Sequence, residues 1–124
     1  MRFSFIEENI VNLSRNEKYV PLLKGQDFIY SIGLADYLPD MFLGRLIQFC
    51  FQLLKPKGRL VIAHKNVTEY KASAPDWFCD WYFFPRDKEK LKMIVSSNLE
   101  SLDYNIDCLE EESNRIFFIL IEKK

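Results

Sequence analysis

The sequence predicts an α/β fold, and three observations carry that reading. Two short apolar runs, residues 28–32 and 59–63, flank a stretch from Pro39 to Leu54 whose apolar residues recur at helical spacing. The second run shows no alternation, as a strand covered on both faces does. The chain then closes with two strand-like segments around a polar turn. With 124 residues, 48% hydrophobic and 28% charged, it has the composition of one globular domain.

Arg2-Phe3-Ser4-Phe5-Ile6 alternates like a strand, and Asn9, Asn12, Ser14, Arg15 and Asn16 after it read as a loop. Gly25 and Gly33 bracket Phe28-Ile29-Tyr30-Ser31-Ile32, a buried strand ending in a turn. Pro39 suits the first turn of the helix carrying Phe42, Leu43, Leu46, Phe49, Cys50, Leu53 and Leu54, since its missing N–H is not needed there. Pro56 and Gly58 end that helix, and Arg59-Leu60-Val61-Ile62-Ala63 follows as the next strand. Strand, helix, strand at this spacing calls for a right-handed parallel βαβ unit. Residues 64–86 form a long connection rich in aromatic side chains, a length usually reserved for function or local structure. Asp87 is an N-cap for a second helix with Leu91, Ile94, Val95 and Leu99 on its apolar face, although Lys90 stands where a capping box would place Glu. Ile106 and Cys108, a turn at residues 111–114 and the run 116–121 make an antiparallel hairpin, its second strand central and its first at the edge.

Several functions are disfavoured at once. Seventeen Lys and Arg against eighteen Asp and Glu leave a charge of −1, so nothing draws the chain to nucleic acid or to an anionic membrane surface. Its longest apolar run, 116–121, falls far short of the roughly 20 residues of a membrane span. The first residues lack a secretory pattern, so the protein is expected to stay in the cytoplasm. Cys50, Cys79 and Cys108 are odd in number and form no C-x-x-C, and His64 is the only histidine, so no metal site is expected and the thiols should be buried and reduced.

The order and wording of the later segments resemble the carboxyl-terminal half of a class I S-adenosylmethionine (SAM) dependent methyltransferase. Residues 27–40, Asp-Phe-Ile-Tyr-Ser-Ile-Gly-Leu-Ala-Asp-Tyr-Leu-Pro-Asp, are similar to that family's fourth strand and the loop after it. Residues 53–62, Leu-Leu-Lys-Pro-Lys-Gly-Arg-Leu-Val-Ile, are similar to its L-x-P-G-G turn and fifth strand, with Lys57 in place of the first Gly; the turn survives if Gly58 takes the positive φ. Asp80-Trp81-Tyr82-Phe83-Phe84-Pro85-Arg86 resembles the D-W-x-L-x-Y-R segment of a bacterial subgroup, some members of which are linked to hydroxy-fatty-acid methyl esters. The resemblance implies an incomplete Rossmann-like methyltransferase fold: a mixed sheet with a terminal antiparallel hairpin and helices packed on it. Residues 1–124 would form a single partial domain lacking the glycine-rich SAM-binding portion, for none of the four glycines forms a Gly-x-Gly.

That resemblance also implies methyl transfer from SAM to a small-molecule or lipid-like acceptor, carried out when an amino-terminal half comes from elsewhere, with a non-catalytic remnant or interaction subunit as the alternative. The first strand of the unit would lack its neighbour, so the chain would bind a methyltransferase half, form a homodimer, or cover the edge with its own residues 2–6. Ser31 and Gly33, at the carboxyl end of that strand, would border the donor or else simply make a turn. Asn9 stands where the family often places an Asp for the adenine amino group, and is equally a turn residue. Asp36 and Tyr37 lie beside the ligand by the same resemblance, or serve as a helix cap and a packing group. His64 would position a substrate oxygen or take a proton, unless it is hydrogen-bonded scaffold. Trp81 and Arg86 would offer an aromatic wall and a guanidinium to a carboxylate-bearing substrate, unless Trp81 fills the core and Arg86 steadies the helix start.

Overall fold

A computed structural model describes residues 3, 5–66 and 84–124. The predicted βαβ unit is present. Strand β1 (Gln26–Ser31) runs parallel to β2 (Leu54–Lys65), with Ile29 opposite Leu60 and Ser31 opposite Ile62. The crossover is the helix spanning Asp40–Leu53 (α3), preceded by α1 (Ile10–Arg15), α2 (Tyr19–Leu23) and a short 3-10 turn at Ala35–Tyr37. Helix α4 (Lys88–Asn98) and the hairpin strands β3 (Tyr104–Glu110) and β4 (Ile116–Lys123) follow. The four strands lie in the order β1-β2-β4-β3, with β4 antiparallel to both neighbours, so the hairpin has its second strand inside and its first at the edge.

One face of the sheet meets α3 and α4. Leu60 and Ile62 of β2 and Phe117, Ile119 and Ile121 of β4 bury against Leu43, Leu46 and Ile47 of α3 and Leu91, Ile94 and Val95 of α4. Each fully buried aliphatic side chain contributes about 1.5–3 kcal/mol, and this seam is the core. Asp87 caps α4 by accepting the Lys90 amide at 2.7 Å. Lys90, out of place in a capping box, turns instead toward Asp40 at the start of α3, with 3.3 Å between ammonium and carboxylate. The Lys123 ammonium donates to the Phe51 and Leu54 carbonyls at 3.3 and 3.0 Å, satisfying acceptors left at the end of α3.

Three expectations are corrected. Residues 3, 5 and 6 are not in a strand, and Phe3 and Phe5 are 90% and 89% exposed, so this segment does not cover β1. The polar stretch read as a loop holds two short helices: Asn9 caps the first by accepting the Val11 amide at 2.9 Å, and Ile10 packs on the core. The turn expected at residues 56–58 is the irregular start of β2, and there the positive φ falls on Lys57, at 72°, and not on Gly58. Gly58 is there for close approach: a Cβ at that position would lie 2.8 Å from the Lys55 carbonyl and 3.0 Å from that of Gln26 in β1. Cys50 and Cys108 are free thiols, and burial pushes Cys50 up to about 12. Cys79 lies outside the described residues.

β1 has no neighbour on its outer side among the described residues, and Phe28, Tyr30 and Ile32 are 54%, 64% and 69% exposed. Edge strands that stay single are ordinarily blunted by charge, proline or a bulge. From Phe28 to Ile32 there is no charge and no proline; the charged residue of β1, Asp27, and a shift of register against β2 lie at its start.

The turn makes a prediction. Gly58→Ala forces a methyl group against two backbone carbonyls and should cost about 1–3 kcal/mol, whereas Lys57→Gly relieves the left-handed residue and should cost nothing or add up to about 1 kcal/mol. Urea denaturation of both variants checks this; a neutral Gly58→Ala would contradict the close approach.

Candidate functional site

The carboxyl end of β1 is where ligands bind in open α/β sheets, and there the chain makes a sharp change of direction. Gly33 adopts φ 79°, and nothing lies within 4 Å of where its Cβ would be, so the backbone is open to close approach. Just before it, the Ser31 hydroxyl is buried without a hydrogen-bond partner, the single such side-chain atom among the described residues. An unsatisfied buried hydroxyl costs about 1–3 kcal/mol. It borders an apolar groove of about 600 Å³ between β1 and the helices, lined also by Ile10, Leu13, Tyr30, Phe49 and Leu53. Asn9 immediately precedes Ile10 in this wall, but its amide oxygen is engaged in capping α1.

Behind the turn lies a polar cluster. Arg86, 1% exposed, makes four hydrogen bonds through its three nitrogens and a further ion-pair contact. Nε donates to Asp40 Oδ1 at 2.9 Å, and Nη2 lies 2.8 Å from the same oxygen. The other Nη2 hydrogen goes to the Leu38 carbonyl. Nη1 donates to the Ala35 carbonyl at 2.9 Å and to His64 Nε2 at 3.1 Å. Burial works against ionisation of Asp40, yet hydrogen bonds from Arg86 and Lys90 hold its carboxyl below the usual range. Asp36 is buried as well; its Oδ1 accepts the Lys65 amide at 2.7 Å and lies 3.2 Å from His64 Nδ1.

The structure thus brings together His64, Arg86 and Asp36, but as an interior clamp joining the 3-10 turn, the start of α3 and the end of β2. In this arrangement Arg86 is 1% exposed and turned to interior acceptors, His64 is 1% exposed, and the Asp36 carboxyl faces the Lys65 amide and the His64 ring. Tyr37 is half-buried, its ring 5.6 Å from the Lys65 ammonium. Trp81 lies outside the described residues. Sequence reasoning missed Asp40 as the ionic partner of Arg86. Its one signal was an acidic residue in the first turn of a helix, which also reads as dipole compensation.

No protein-family model and no curated protein matches the sequence. Solved structures do match in fold. Mitomycin 7-O-methyltransferase MmcR superposes with a TM-score of 0.61 at 13% identity over 82% of this chain and 30% of its own. OxaC in complex with SAH and oxaline gives 0.60 at 14% over 82% and 26%. A Bordetella parapertussis protein described as a possible exported protein gives 0.60 at 16% over 84% and 42%. The chain therefore spans well under half the length of these structures.

Because Arg86 closes the clamp, Arg86→Met should cost about 3–5 kcal/mol by leaving Asp40 and three other acceptors without their donor. Asp40→Asn, at a half-exposed carboxylate, should cost clearly less. Equilibrium denaturation compares the two, and equal losses would refute this ranking. On the geometry and the matched structures together, the chain has a mixed α/β fold like that found in part of MmcR and OxaC.

Proposed function

We propose that residues 1–124 are the carboxyl-terminal portion of a class I methyltransferase domain, and that the chain takes part in SAM-dependent methyl transfer to a small-molecule or lipid-like acceptor once an amino-terminal half is supplied along β1. The observation that supports this most is the conjunction at the end of β1: an unpartnered Ser31 hydroxyl, an open Gly33 and exposed apolar side chains along the strand. OxaC, which shares the fold, is solved with SAH. When bound, SAM supplies an activated methyl group on a sulfonium. Transfer from it needs alignment and water exclusion more than acid or base assistance when the acceptor is anionic.

In this reading Ser31 offers its hydroxyl to the donor, and the Gly33 backbone allows close contact. Asn9, next to the groove-lining Ile10, would meet the adenine amino group through its amide oxygen only if it left the cap of α1. By the resemblance, Tyr37 and Trp81 would serve the acceptor. Asp36, His64 and Arg86 act through the loop they hold and do not touch the ligand. The acidic residue that family members use for the ribose, and the Gly-x-Gly turn, would come from the other half.

A second reading, a non-catalytic methyltransferase-like remnant or interaction subunit, draws on the same bare edge and on the lack of any Gly-x-Gly among the four glycines. Titration calorimetry with SAM separates the two. The chain alone should show no usable affinity. Mixed with the polypeptide encoded directly upstream, it should bind, and Ser31→Ala should weaken that binding about five- to tenfold, the worth of one hydrogen bond. The same substitution should leave the free chain as stable or slightly more so. Absence of binding in the mixture, with association of the two chains intact, would favour the interaction subunit. Association of the chain only with itself in sedimentation runs would favour a homodimer.

A further inference from the structure

We infer that His64 is a proton-operated latch: in its neutral form it accepts from Arg86 and holds the loop 33–38 against the end of β2, and protonation of the ring releases that loop. This goes beyond the proposed function and needs no ligand, since it concerns the chain by itself.

The tautomer follows from the partners. An arginine nitrogen can only donate, so His64 Nε2, 3.1 Å from Arg86 Nη1, must accept, and the ring hydrogen sits on Nδ1. There it faces the Lys65 carbonyl at 2.8 Å and Asp36 Oδ1 at 3.2 Å. The ring is stacked on Phe117 of β4 at 5.6 Å and cannot swing freely. A second proton would go on Nε2 and set one donor against another inside a buried site. The cheapest relief is to separate Arg86 from the ring. Arg86 also holds the Ala35 and Leu38 carbonyls, so its shift loosens both ends of the 3-10 turn. The Asp36 carboxyl, which accepts the Lys65 amide, is free to turn toward a cationic ring and so to weaken the tie between turn and strand.

The charges around the ring, among the described residues, are few. Its own strand brings Lys65, the turn brings Asp36, and the segment before α4 brings Arg86; Asp40 of α3 and Lys90 of α4 lie behind Arg86, and β4 contributes the uncharged Phe117. Burial is the largest influence and favours the neutral ring. The Lys65 carbonyl and Asp36 oppose it, while the positive charges of Arg86 and Lys65 support it, and the balance holds the ring below the ordinary histidine value of 6.5. The sign follows. A proton binds the open loop more readily than the closed one, so the closed loop has its full stability above about pH 6.5 and loses it as pH falls through the lower folded value.

The test is NMR on the intact 15N-labelled chain. Long-range spectra of the imidazole nitrogens should show the Nδ1–H neutral tautomer at pH 7.5 and a midpoint below 6.5. Amide exchange of Tyr37, Lys65 and Phe84, corrected for intrinsic chemistry, should quicken by up to about tenfold for each pH unit between 6.5 and that midpoint, while Leu91 and Ile121 in the core stay unchanged. His64→Gln should abolish the pH dependence. An Nε2–H tautomer, a midpoint at or above 6.5 from a dominant Asp36 pair, or loop exchange indifferent to pH would each overturn the latch, and the spectra of the unaltered chain decide the matter even if the variant does not fold. Loss of SAM binding would leave this result untouched, and failure of the latch would leave the methyl-transfer reading standing.

Discussion

A single guanidinium holds the working end of this molecule together. Arg86 lies far along the chain from the turn it secures, yet its donors reach two carbonyls of that turn, the first carboxylate of α3 and the ring at the end of β2. Taking such a cation out of water is expensive, and the four hydrogen bonds with the Asp40 ion pair offset that cost. A loop after a parallel strand has no ladder of its own to stiffen it. The clamp gives the Gly33–Leu38 turn the rigidity of the sheet behind it, which is what a binding loop needs if it is to meet a ligand without first paying for order.

The other determining feature is an omission. α3 and α4 cover one face of the sheet well, and β4 is paired on both sides, so most of the chain is a finished core. β1 is the exception, with aromatic and aliphatic side chains facing outward and an apolar groove beside it. This is the edge along which the proposed reading places the missing half. In the matched structures this chain corresponds to 42%, 30% and 26% of the length.

Much of the fold was legible because apolar periodicity is strong where burial is complete. Leu43, Leu46 and Ile47 announce α3, and Phe117, Ile119 and Ile121 announce a strand packed on helices. The two short amino-terminal helices escaped because Ile10 and Leu13 are diluted by Asn12 and Ser14, and because a cap such as Asn9 looks like any turn residue. The left-handed Lys57 escaped because glycine is the usual occupant of that region, and here glycine was needed one position later for a different reason. At the candidate site, the sequence could pick out Ser31, Gly33, Asp36, His64 and Arg86 as notable residues, but not what they would touch. The partners of Arg86 are largely backbone carbonyls, which leave no trace in a sequence.

Both ideas, a clamped loop and an unfinished edge, meet in the amide-exchange pattern of the isolated chain at neutral pH. Tyr37, Leu38 and Lys65, bonded within the clamp, should exchange slowly, whereas the outward-facing amides of β1 should exchange near the rate of an unstructured peptide even at high protein concentration unless a partner is present. Slow exchange along the whole of β1 in a chain shown to be monomeric, together with fast exchange in the turn, would contradict the account at its centre.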